Sequence, residues 1–155
     1  MGASEVSALL WRERQLLDLL LFKLEEEQLI LAAARPHLLA PASAEVAQVM
    51  EQIAVCETER EAASWQLAQS LGLEPPVRLA ELVEASATPW DEIFADHRRA
   101  LTESVERIRG LAAGTKALLA ARLTAVTDAL NLLGHAPVDA YTSAGSGGHL
   151  VRGSL

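Results

Sequence analysis

Residues that build sheets or reactive centres are scarce in this chain. Aromatics are 4% of it, and Leu and Ala dominate, with Glu, Gln and Arg behind them. These are the strong helix formers, whereas the β-branched and aromatic residues that favour strands are sparse. That imbalance predicts an all-α protein. There is one cysteine, Cys56, so an intramolecular disulfide is excluded and a reducing compartment fits. Cys56 falls at an apolar position of a helical pattern and is expected to be a small buried hydrophobe. A surplus of basic charge is also missing. The formal net charge is −8, which argues against nucleic acid as a partner, because phosphate contacts need clustered Lys and Arg. Arg98-Arg99 and Arg107/Arg109 alternate with Glu103 and Glu106 and read as a solvated helix face. No uncharged apolar run approaches the roughly 18–20 residues of a membrane span. The first residues, with Glu5, Arg12, Glu13 and Arg14, do not have the basic-then-apolar layout of a signal peptide. A cytoplasmic protein without membrane insertion is expected.

Catalytic and metal-binding patterns are missing as well. A di-iron bundle needs Glu-x-x-His on two helices, and none of the four histidines has Glu three residues before it. His37, His97, His135 and His149 are scattered, without metal-ligand spacing. No glycine-rich phosphate loop follows a strand. His97 occupies a core-facing position and reads as a structural histidine. No enzyme, metal site or cofactor is expected.

What the chain does contain is helical periodicity. A first helix over 4–34 carries Val6, Leu10, Leu17, Leu20, Leu24 and Leu31 at the 3–4 spacing of a coiled-coil seam. Leu9, Leu16, Leu19, Leu21, Phe22 and Ile30 widen this seam, so the helix should touch more than one partner. Arg35-Pro36 should end it, and a short link to Pro41 predicts an antiparallel return. The second helix, over 43–71, has the seam Val46, Val49, Ile53, Cys56, Arg60, Ala63 and Leu67. Arg60 breaks this stripe and should snorkel to the surface or pair with Glu. Gly72-Leu73 fits a left-handed cap, and Pro75-Pro76 prevents continuation. A short amphipathic helix over 79–83 should cross the bundle end.

Thr88-Pro89-Trp90-Asp91 then opens the last helix, with Thr88 placed to cap, Pro89 at the first helical position and Asp91 closing an acidic capping box. Phe94, His97, Leu101, Val105, Ile108 and Leu111/Ala112 should pack on helices one and two. Gly110 and Gly114 mark either a close helix crossing or a weak point, each costing about 1 kcal/mol of helix propensity relative to Ala. The pattern has no further proline until Gly134. At 1.5 Å per residue that helix is about 67 Å long, against about 45 Å for each earlier one. Its last part should project past the bundle with Leu119, Leu123, Val126, Leu130 and Leu133 on one stripe. Soluble proteins seldom leave such a stripe bare, so these residues point to a binding protein. After Gly134 the composition turns to Gly, Ser, Ala and Pro, which cannot form a core. One helical domain over 1–134 and a flexible tail over 135–155 are expected. Tyr141, the single tyrosine, stands in that tail as a candidate docking anchor.

The run Leu10-Trp11-Arg12-Glu13-Arg14-Gln15-Leu16-Leu17-Asp18-Leu19-Leu20-Leu21-Phe22-Lys23-Leu24-Glu25-Glu26-Glu27-Gln28 resembles the FlgN family of flagellar export chaperones. The likeness continues through Leu71-Gly72-Leu73-Glu74-Pro75-Pro76, the short helix and Trp90, and ends with the distal leucines to Gly134 and a tail containing Tyr141. It rests on the ordered layout rather than on one diagnostic motif. The resemblance implies an antiparallel bundle of three long coiled-coil-like helices and one short helix. It also implies a cytoplasmic, non-enzymatic chaperone of the flagellar type III secretion system. Such chaperones hold hook–filament junction proteins as unassembled monomers and deliver them to the export gate. Family members bind the amphipathic C-terminal segments of these clients through the C-terminal apolar helix. Here that maps onto Leu119, Leu123, Val126, Leu130 and Leu133. By the same resemblance Tyr141 would dock on the gate's platform protein, although Thr142 stands where family tails often have Gly. The free protein is expected to be a monomer or a weak homodimer. The competing reading is a coiled-coil interaction protein that self-associates through the same stripe and has no export role.

Overall fold

A computed structural model of the chain describes residues 2–132, apart from the side chains at 119, 122, 131 and 132. Within that range the fold is all-α. Helix α1 spans Gly2–Ala32, a 3-10 turn spans Pro36–Leu38, and α2 spans Leu39–Ser70. A short helix α3, Leu79–Ala85, leads into α4, Trp90–Leu132. α1 and α2 form an antiparallel hairpin, clipped by Lys23 to Glu45 at 3.0 Å near the turn and by Arg12 to Glu59 at 3.1 Å further down. α4 runs back alongside α1 and parallel to it. Ser7 meets His97 at one end, and Gln28 meets Gly114 at the other. The result is an up-down-up bundle of three long helices plus one short one.

Local chemistry sets the ends. α2 closes in a Schellman motif: Gly72 has φ +73°, its N–H reaches the Gln69 carbonyl, and the Leu73 N–H reaches the Ala68 carbonyl. α1 closes the same way two residues before Pro36. The Ala34 and Arg35 N–H groups bond the Leu31 and Ile30 carbonyls, but the left-handed position at φ +54° is held by Ala34 rather than by glycine. Pro41 lies inside the first turn of α2, where its missing N–H has no partner to lose. α4 begins one residue later than expected. The Thr88 hydroxyl donates to the Asp91 carboxylate at 3.3 Å instead of accepting from the backbone. Asp91 and Glu92 place negative charge at the positive end of the helix.

The core follows the predicted seams. Val6, Leu10, Leu17 and Leu20 of α1, Val49, Ile53 and Leu67 of α2, and Phe94, Leu101 and Ile108 of α4 are buried together with Leu79 and Leu82 of α3. Each large side chain so covered contributes about 1.5–3 kcal/mol relative to exposure. Cys56 is fully buried, and its thiol approaches the Leu9 carbonyl at 3.5 Å.

Two expectations are corrected. Leu19 and Phe22 do not widen the buried seam but lie exposed, because α2 and α4 share the opposite side of α1. α4 packs on α1 and α3 rather than along α2, since the central helix and the short one stand between them. Arg60 takes the second of its two expected courses and pairs with a glutamate instead of snorkelling. It is buried against Glu13, with Nε and Oε2 2.6 Å apart, as a bent ion pair rather than an aligned hydrogen bond. Burial pushes the Glu13 carboxyl up from its ordinary value and Arg60 draws it back.

Candidate functional site

The proximal third of α4 is fixed to α1 by a polar clasp inside an apolar frame. His97 is 1% exposed. Its Nε2 lies 3.0 Å from Ser7 Oγ and its Nδ1 lies 3.3 Å from an Arg14 nitrogen. Trp11 meets the imidazole edge-on with centroids 5.0 Å apart, and Arg14 lies 4.0 Å over the Trp11 ring. Arg14 also reaches Asp96 at 3.3 Å, and Arg99 pairs with the same carboxylate. Burial, then the Arg14 charge, pushes the His97 pKa down. All these groups are engaged with one another, so the cluster is a structural joint, as expected for His97, and it fixes the rotation of α4 about its axis.

That rotation decides where the distal face points. Phe94, His97, Leu101, Val105 and Ile108 are buried toward α1. At 3.6 residues per turn, Leu123, Val126 and Leu130 fall in the same register. The sequence spacing puts Leu119 there too. Gly114 sits close to Gln28: a Cβ on it would come within 3.1 Å of the Gln28 Nε2. The contact is with the tip of a side chain and not with the α1 backbone, so it does not decide between the close crossing and the weak point expected of this glycine pair, and Gly110 faces open space. α1 ends four residues beyond Gln28, at Ala32, so α4 passes the end of its partner near residue 118. About 14 further residues continue to Leu132, or about 21 Å of helix.

On this overhang the seam is no longer fully covered. Leu123 is 37% exposed and Val126 55%, and Leu130 is half-buried. Thus Leu123, Val126 and Leu130 share one face of one helix. Leu133, Tyr141 and the 135–155 segment lie outside the described residues.

The sequence reading missed two apolar features. Trp11, Phe22 and Leu29, all exposed, fall in one register on α1, and Trp11 there also meets His97 of α4 edge-on. Their mutual spacings of 11 and 7 residues held the signal. At the turn between α1 and α2, Leu38 is 43% exposed. Beside it a cavity of about 290 Å³ is lined by Ile30, Leu31, Ala34, Arg35, Pro36 and Leu39. Among the described residues no group of His, Cys, Asp and Glu could hold a metal ion, and no helix is long and apolar enough to cross a membrane.

No curated protein and no solved structure gives a significant match to the chain. A family model does: the one described as FlgN protein matches residues 1–147. The matched stretch contains the α1–α2 hairpin, the short α3 and the whole of α4, including the part that outruns its partner. The chain belongs to the FlgN family of flagellar export chaperones.

Proposed function

We propose that this protein is a cytoplasmic, non-catalytic chaperone that takes the amphipathic C-terminal segments of hook–filament junction proteins onto the distal face of α4. Leu119, Leu123, Val126, Leu130 and Leu133 form the contact stripe. Captured clients are kept from polymerising and are delivered to the export gate, with Tyr141 as the docking residue for the gate's platform protein. The observation that carries this reading is the register of α4. The side chains that are buried against α1 up to Ile108 are followed, in phase, by Leu123 and Val126 in the open. A client helix laid in that position uses the helix-in-groove mode. Covering five such side chains yields several kcal/mol before ordering costs, at about 25 cal/mol per Å². That permits micromolar or tighter binding which the gate can still reverse.

The test is an isothermal titration with C-terminal peptides of the two hook–filament junction proteins of the same cell. One-to-one binding that Leu130→Asp abolishes supports the assignment. Absence of heat with both peptides, together with a dimer that depends on Leu123 and Leu130, replaces it with self-association through the same stripe.

A further inference from the structure

α1 carries a second seam, on its exposed face. Between Ala8 and Leu29, positions 8, 11, 15, 18, 22, 25 and 29 are all exposed and recur at alternating steps of three and four. That is the spacing by which one helix meets another in a coiled coil. The seam runs over about 32 Å of helix, and Trp11, Phe22 and Leu29 supply its large apolar side chains, 50%, 54% and 70% exposed. At its first end it opens into a hollow. Trp11 lines a space of about 430 Å³ together with Trp90, Ile93 and Glu92, and Ser7 and His97 of the joint between α1 and α4 line it too. Trp11 thus belongs to both the seam and the hollow, and the joint holds the hollow's walls in place.

Charge indicates the occupant. Asp18 and Glu25 stand within the seam and Glu92 at the hollow, all three exposed and without an ion-pair partner among the described residues. The neighbouring cations are already engaged, Arg12 by Glu59, Arg14 by Asp96 and Lys23 by Glu45. A second copy offering the same face would add carboxylates and no free cation, a like-charge arrangement that disfavours pairing. We infer that this face docks an amphipathic helix of another protein, with Lys or Arg flanking its apolar stripe. One large apolar side chain of that helix fills the hollow at Trp11, its length lies along Phe22 and Leu29, and its cations meet Asp18, Glu25 and Glu92. The surface is separate from the distal stripe of α4, so the inference does not depend on the client-binding role. A molecule with its distal stripe filled still presents this seam.

The experiment titrates the full-length protein with a synthetic four-heptad peptide that has Leu along its apolar face and Lys beside it. A second peptide carries Glu in place of every Lys. Wild type is compared with Phe22→Ser, Glu25→Lys, Glu84→Lys and Leu123→Glu, all at exposed positions, and unchanged thermal melting verifies their folding. Glu84, on α3, controls for net charge, and Leu123 controls for the distal stripe. The expected result is one-to-one binding of the lysine peptide, weakened about tenfold by Phe22→Ser and by Glu25→Lys. Glu84→Lys and Leu123→Glu should behave like wild type, and Glu25→Lys should bind the glutamate peptide more tightly than wild type does. The inference is overturned by absence of saturable binding, or by equal losses from Glu25→Lys and Glu84→Lys, which would mean that only net charge is read. It is overturned equally if Leu123→Glu alone abolishes binding, or if Phe22→Ser dissolves a dimer seen in sedimentation, which would make a second copy the occupant.

Discussion

Arg14 can only donate to His97, and that fixes the tautomer of a buried ring. With Arg14 3.3 Å from Nδ1, Nδ1 is the accepting nitrogen, so Nε2 carries the proton and donates to Ser7 Oγ at 3.0 Å. The joint between α1 and α4 therefore requires a neutral imidazole. A second proton would have to sit on Nδ1, facing the guanidinium.

A pH dependence follows. The His97 pKa is pushed below its ordinary 6.5 by burial and by Arg14, with Asp96 opposing. The unfolded chain takes up a proton near 6.5, whereas the folded chain resists it. Stability is therefore complete above pH 6.5 and declines as pH falls below it, by at most about 1.4 kcal/mol per pH unit for one proton. The carboxyls of Glu13, Glu27 and Glu57, raised from 4.5 by burial, act in the opposite sense at lower pH. Urea unfolding of wild type and His97→Gln between pH 7.5 and 5.5 isolates the histidine. The wild-type midpoint should fall on acidification while that of the variant stays flatter; parallel curves would remove His97 from the account.

The Glu13–Arg60 pair makes a different prediction. Both side chains are nearly dehydrated, 5% and 9% exposed, so removing one partner strands the other. Arg60→Met should cost about 3–5 kcal/mol, and Glu13→Leu added to it should recover most of that loss. Denaturant midpoints of the two single variants and the double variant decide the matter. A double variant as unstable as the sum of the singles would show no coupling between the two side chains and would remove the pair from the account.

Gly110 and Gly114 should respond unequally to alanine. A Cβ at Gly110 meets nothing within 4 Å, so Gly110→Ala should gain about 1 kcal/mol of helix stability. At Gly114 the new methyl group comes within 3.1 Å of the Gln28 amide, which must shift, and the gain should be smaller or absent. Equal stabilisation in thermal melts would show that α4 does not press on α1 at Gly114.

The sequence made the helices and their inward faces readable because burial here follows heptad spacing. Val6 through Leu20, Val49 through Leu67, and Phe94 through Ile108 are all found where periodicity placed them. The two charged breaks in the seams were half readable. Arg60 was visible as an interruption, and Glu13 lies in the α1 seam between Leu10 and Leu17, yet only the pairing of the helices puts the two opposite each other. The outer face of α1 was misread because Leu19 and Phe22 satisfy a broad apolar pattern equally well inside or outside. The relative axial positions of α1 and α4, on which the overhang depends, required the Ser7–His97 and Gln28–Gly114 contacts.

Among the described residues α4 has no long neighbour beyond the end of α1, and isolated helices are marginal in water. Its exposed positions there include Ala120, Ala121, Ala125 and Ala129, the residue with the strongest helix propensity. Growing from a proximal part already nucleated by packing, this alanine-rich stretch can stay helical before anything touches it. On the proposed role, a client would meet a preorganised rod and need not order both partners at once, which lowers the entropic cost of association. If that role holds, replacing those outward alanines with glycine would weaken capture without altering any residue of the proposed contact stripe.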